Sequence, residues 1–141
     1  MTLTEIYAIV KLKADTITGQ SYVIDRAPSV NFSEEYSGVY RFIRPAGVNK
    51  ERTTRGKVQT TLNIEVGILS TGQASTNIDS IEDEIDGLLN AILGEAQIAP
   101  NLIVYAAECR PTSEQIINSE GLEAEVPVIE ATATIGIRAF Y

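Results

Sequence analysis

Histidine and tryptophan are absent from this 141-residue sequence, and cysteine occurs once. Without histidine, Ser-His-Asp and Cys-His arrangements cannot be assembled within the chain. One cysteine and no histidine cannot supply the three or four protein ligands of the common zinc sites. A single cysteine also rules out an internal disulfide. Cys109 reads as a small core hydrophobe in a reducing compartment. The competing reading, a reactive thiol, lacks a histidine to activate it. Long apolar runs are missing too. The longest, Leu102 to Ala107, falls far short of a bilayer span. The stretch Met1 to Glu5 has neither the basic residues nor the apolar run of a signal peptide, so a cytoplasmic product is expected. No Gly-x-x-x-x-Gly-Lys loop and no Asp-x-Asp-x-Asp-Gly loop is present.

What is there suffices for a core. The chain is 44% hydrophobic and 21% charged, an ordinary globular balance at a length typical of one domain. The net charge of -8 argues against wholesale wrapping of nucleic acid. That charge is unevenly placed. Residues 1–57 carry nine basic and six acidic side chains, a net of +3. Residues 58–141 carry two basic and 13 acidic ones, a net of -11. A surface with two electrostatic regions is one reading; compositional drift under a demand for solubility is the other.

Periodicity places the elements. Thr4 to Ala14 fits either a helix or a strand. The stripe Leu3, Ile6, Tyr7, Ile9 and Val10, with Thr2 and Glu5 at capping-box spacing, favours the helix. Tyr22 to Ile24 is a short apolar piece, and residues 28–38 read as a loop. Val39 to Arg44 is rich in strand formers and is expected to stop before Pro45. Residues 45–57 read as an exposed basic loop or the tip of a long hairpin. From Val58 to Ile68, apolar and polar positions alternate strictly, which predicts a strand with one face on a core and the other toward water or a partner. Ile78, Ile81, Ile85, Leu88, Leu89 and Ile92 form the apolar stripe of a helix over 77–93. Thr76 and Asp79 supply its start signal and Gly94 its stop. Leu102 to Ala107 predicts a buried strand, residues 110–127 a long loop or hairpin excursion, and Val128 to Tyr141 a last alternating strand. The expected fold is α+β, a single domain over 1–141 with a mostly antiparallel sheet packed against two helices.

Two charged groups are candidate sites. Arg41, Arg44, Lys50, Arg52, Arg55 and Lys57 cluster around the 45–57 segment with Glu51 as the opposing charge. They read as a solvated loop tip or as a docking surface for an acidic protein, including the acidic half of a neighbouring copy. Tyr40 and Phe42 interleave with two of them, weak support for nucleic-acid stacking. Asp79, Glu82, Asp83 and Asp86 recur at helix-face spacing. The plain reading is the solvated face of an amphipathic helix; the functional one is an acidic surface toward a neighbour or a polyanion that must not stick. No pair of carboxylates is marked as sharing a pocket, so no catalysis, metal or cofactor is expected.

The order and spacing of these elements resemble a known family. The N-terminal amphipathic helix from Thr2 to about Thr16 comes first. It leads to Asp25-Arg26-Ala27-Pro28-Ser29-Val30, the strand Val39 to Ile43 and the strand Leu62 to Val66. The helix Ile78 to Leu93 and a terminal strand ending in Phe140-Tyr141 follow. In this pattern the chain resembles the tail-terminator, or minor tail, proteins of long-tailed siphovirus-type bacteriophages, of the lambda U type. The resemblance does not extend to Arg110–Pro127. It implies a structural protein of the virion, made in the host cytoplasm. The copies would form a ring, expected as a hexamer, that caps the head-proximal end of the tail tube. Its partners would be other copies, the tail tube protein and head–tail connector proteins; DNA would pass through unheld and no membrane would be involved. The acidic group would line the lumen or face a neighbour. Alternative readings are a head–tail completion protein, a tail tube subunit, or an unrelated α+β domain that binds a small ligand or a protein.

Overall fold

A computed structural model describes residues 2–26, 38–53, 56–71, 78–95, 97–117 and 126–140. They form two helices, α1 (Leu3–Thr18) and α2 (Ile78–Leu93), and six strands. The strands are β1 (Val23–Ile24), β2 (Gly38–Arg52), β3 (Val58–Thr71), β4 (Leu102–Cys109), β5 (Ser113–Ile117) and β6 (Val126–Phe140). The sheet order is β1-β2-β3-β6-β4, with β5 following β4 along the same edge of β6. Only β1 with β2 is parallel among the described pairs. The fold is α+β, as the alternating and helical patterns predict.

The capping box forms as its spacing requires. Glu5 N–H donates to Thr2 Oγ1 at 3.2 Å, and Thr2 N–H donates to Glu5 Oε2 at 2.8 Å. The helix resolves the ambiguous segment and runs to Gly19, whose φ of 70° ends it in the left-handed region. Helix α2 begins at Ile78; the expected cap Thr76 lies outside the described residues. Ile6, Tyr7, Val10 and Ala14 of α1 and Ile81, Ile85, Leu88, Leu89 and Ile92 of the predicted α2 stripe pack on one face of the sheet; Ile78, the first of the stripe, is not in the buried cluster. That face is the even-numbered side of β3 and the odd-numbered side of β6, both predicted by alternation. Each large aliphatic side chain buried there contributes about 2 kcal/mol.

Three expectations need correction. Strand β2 does not stop before Pro45 but continues to Arg52. The register shifts between Pro45 and Gly47, and β1 borders β2 only at Phe42 and Ile43. Proline lacks an N–H to donate, and a bulge on an edge strand is where that costs least. The 45–57 segment is therefore the end of a hairpin, closed where Thr53 N–H donates to the Lys57 carbonyl at 2.7 Å; residues 54 and 55 lie outside the described residues. On β3, Glu65 and Gly67 were expected to face water or a partner, yet both are buried. Arg44 lies directly across from Glu65, and the Phe42 ring lies over Gly67. The 110–127 segment follows the hairpin alternative, since β5 pairs antiparallel with the start of β6; residues 118–125 lie outside the described residues. Cys109 is exposed, not in the core, because edge strand β4 ends there.

The sheet is longer than the helices that cover it. Strands β2, β3 and β6 have 15, 14 and 15 residues, about 45 Å at 3.3 Å per residue. Each helix has 16 residues, about 24 Å. At the hairpin end, Val48 and Val58 are 43% and 40% exposed.

Candidate assembly surfaces

The six basic residues of the sequence cluster do not stay together. Arg41 turns toward α2 and meets Glu84 in a fork, Nε to Oε2 at 2.8 Å and Nη2 to Oε1 at 2.9 Å. The same carboxylate accepts a hydrogen bond from the Tyr22 hydroxyl at 2.7 Å. Tyr22 is fully buried, and burial, then the Glu84 hydrogen bond, pushes its hydroxyl well above the usual tyrosine range. Three separate stretches of chain thus converge on one carboxylate. Arg44 lies on the opposite sheet face. It donates to Glu65 at 2.6 Å, and its guanidinium sits 5.6 Å from the Phe42 ring centroid. Arg41 and Arg44 therefore hold the fold together, and the docking cluster loses them.

Lys50, Arg52 and Lys57 remain exposed at the hairpin end; Arg55 lies outside the described residues. The bulge decides which way they point. After it, Lys50 is in register with Thr60 and Arg52 with Val58, on the sheet side that carries the helices. Glu51 is in register with Gln59 on the other side. Among the described residues, Arg52 and Lys57 have no ion-pair partner.

The acidic group does stay together. Asp79, Glu82, Asp83 and Asp86 are all exposed within the first nine residues of α2, and the described residues hold no cluster suited to a metal. Glu82 and Asp86 border a groove of about 200 Å³ between α2 and the β4–β5 edge. Ile85, Cys109 and Pro111 supply apolar walls, and Arg110 adds one positive charge to the rim. The groove exists because the edge breaks there. Arg110 N–H still bonds the Thr132 carbonyl at 3.0 Å, but Pro111 has no N–H and the chain leaves the ladder before rejoining as β5. Burial and the neighbouring Asp86 raise the Cys109 thiol above its ordinary value.

The sequence grouping missed Glu84. It comes three residues after Ile81 and directly before Ile85, at the flank of the apolar stripe rather than on the outer face. A charge at that position is mostly buried and needs a partner, which is the signal that could have separated it from its acidic neighbours.

Groove and hairpin end sit far apart on one sheet. The groove is lined by Ala131, and the hairpin end is in register with Phe140. At 3.3 Å per residue, that stretch of β6 spans about 30 Å. No protein-family model matches the chain, and no curated protein matches it.

Proposed function

We propose that this chain is a structural protein of a long-tailed phage virion. In this reading it forms a ring on the head-proximal end of the tail tube, stops tube polymerisation and presents the surface for head–tail joining. The order of elements that resembles tail terminators supports the reading. The observation that carries it is the separation of charge: a basic hairpin end and an acidic helix about 30 Å apart on one sheet. A closed ring of identical subunits uses heterologous contacts, in which one patch meets a different patch of the neighbour. A protomer with opposite charges at two ends suits that geometry, whereas a two-fold dimer would want one self-complementary patch. The reading assigns the chain no catalytic step and no cofactor. The net charge of -8 disfavours adhesion to DNA moving through the ring.

The test is to add the purified protein to polymerising tube subunits and measure tube lengths by electron microscopy. Tubes that stop growing, with a ring at one end, support the reading. Tubes that grow to the same length with and without the protein overturn it. Light scattering at rising concentration separates the nearest alternative, since a tube subunit alone keeps polymerising and a terminator stops at one ring.

A further inference from the structure

We infer that the contact between neighbouring copies is the hairpin end of one seated on the α2–β4/β5 groove of the next. This rests on the ring reading and names the two surfaces that close it. The groove is a real depression, about 200 Å³, with an apolar floor and walls from Ile85 and Pro111. Its helix side is edged by Glu82 and Asp86, and the next turns add Asp79 and Asp83, all exposed. The hairpin end is its complement in both respects. It offers Arg52 and Lys57 as exposed cations and Val48 and Val58 as exposed apolar side chains. Apolar surface meeting apolar surface inside a charged rim is how specific interfaces are built. The two surfaces are about 30 Å apart on the same chain, so they cannot meet within one copy. They can meet only between copies, and since each copy has one donor end and one acceptor groove, the contact can repeat head to tail around a closed ring; a reciprocal two-fold pair would stop the cross-linked ladder at the dimer and overturn it.

The chain's single cysteine makes this directly testable, because Cys109 lines the groove and is exposed. The full chain carrying K57C is treated with a short bismaleimide and run on a denaturing gel, with cross-linked peptides identified by mass spectrometry. The expected result is a ladder of covalent oligomers in which position 57 of one copy is joined to Cys109 of another. Adding E82K and D86K to K57C should slow the cross-linking about tenfold, and adding R52E to that variant should restore part of the rate. Q20C, on the exposed turn after α1, serves as the control for random collision. The contact is overturned if K57C reacts no faster than Q20C, if position 57 joins position 57, or if E82K and D86K leave the rate unchanged. The outcome is independent of tube capping. Capped tubes without this cross-link remove the contact and keep the terminator reading; the cross-link without capping keeps the contact and removes the terminator.

Discussion

The two ends of the β2–β3 hairpin use the same kind of residue for opposite purposes. At the end beneath the helices, Arg41 and Arg44 are each locked to an acid, Glu84 and Glu65. At the hairpin end, Arg52 and Lys57 project with exposed valines beside them. One strand, β2, runs through both ends, and the bulge between Pro45 and Gly47 re-aims the residues after it without pairing them. What differs is whether the fold sets a carboxylate opposite. Glu84 and Glu65 are mostly buried, and a buried carboxylate without its cation is costly, so these pairs fix the fold. An exposed cation in water contributes little to stability and remains available to a partner.

The strongest challenge to this comparison is Glu84→Ala. It strands the Arg41 guanidinium and the fully buried Tyr22 hydroxyl at once. The expected loss is about 3 kcal/mol of unfolding free energy, read from urea denaturation. Arg41→Ala in the same background should add much less than it costs alone, since the pair acts as a unit. A loss under about 0.5 kcal/mol for Glu84→Ala, the range of an ordinary surface change, would erase the distinction between the two ends.

Next in size is Gly67→Ala. A methyl group at 67 would lie 2.3 Å from the Phe42 ring, which is itself 1% exposed and has nowhere to retreat. Overpacking of this kind costs about 2 kcal/mol. Gly136 provides the internal comparison. There the added methyl meets the Tyr105 ring at 2.8 Å, but Tyr105 is 41% exposed and can swing aside. Gly136→Ala is expected to cost less than half as much. Equal losses at the two glycines would mean that close approach alone, not enclosure, sets the penalty.

Much of this architecture was legible in the sequence, for identifiable reasons. The alternation in β3 and β6 and the three-four spacing in α2 name the core face over most of each element; the exceptions stand at element starts, where Val58 is 40% exposed and Ile78 lies outside the buried cluster. The second face of the sheet was not legible. Its burial comes from an aromatic over a glycine and a cross-strand ion pair, and both depend on register, which periodicity does not supply. Pro45 misled for a related reason. Proline signals a strand end, but at a bulge with no β1 neighbour its missing N–H breaks no ladder bond. The same dependence on register split the basic cluster. Arg41 and Arg44 are three residues apart and so point to opposite faces, and the bulge then re-aims Lys50 and Arg52. Cys109 was misplaced because it ends an edge strand and opens onto the groove beside α2 instead of the core.

Alkaline pH probes the helix-covered end as a whole. The neutral Tyr22 and Tyr40 hydroxyls donate to Glu84 and Asp25, respectively. The hydrogen bond to Asp25, with burial second, pushes Tyr40 up to about 12 from an ordinary 10.0; Tyr22 rises further, chiefly through burial. The folded state therefore holds these protons more tightly than the unfolded state. Both contributions are complete below pH 10; Tyr40's is lost as pH rises through 12, and the loss of Tyr22's continues above that. Thermal melts across that window should show a falling midpoint, and Tyr40→Phe should make the fall shallower. A midpoint that falls equally in the variant would assign the loss to the other tyrosines.

The smallest expected effect on stability lies at the other end of the hairpin, and its smallness is the informative part. Arg52→Glu combined with Lys57→Glu reverses two exposed charges that have no ion-pair partner among the described residues. Unfolding free energy should stay within about 0.5 kcal/mol of the parent chain. If the hairpin end is a docking surface, the same double variant should lose association with its neighbours while remaining folded. Stability and association then separate cleanly, which they do not for Glu84→Ala, where unfolding removes both. A double reversal that destabilised the monomer by more than about 1 kcal/mol would place these cations, like Arg41 and Arg44, in service of the fold. The two ends would then differ in exposure but not in role, and charge separation would lose its value as a guide to assembly.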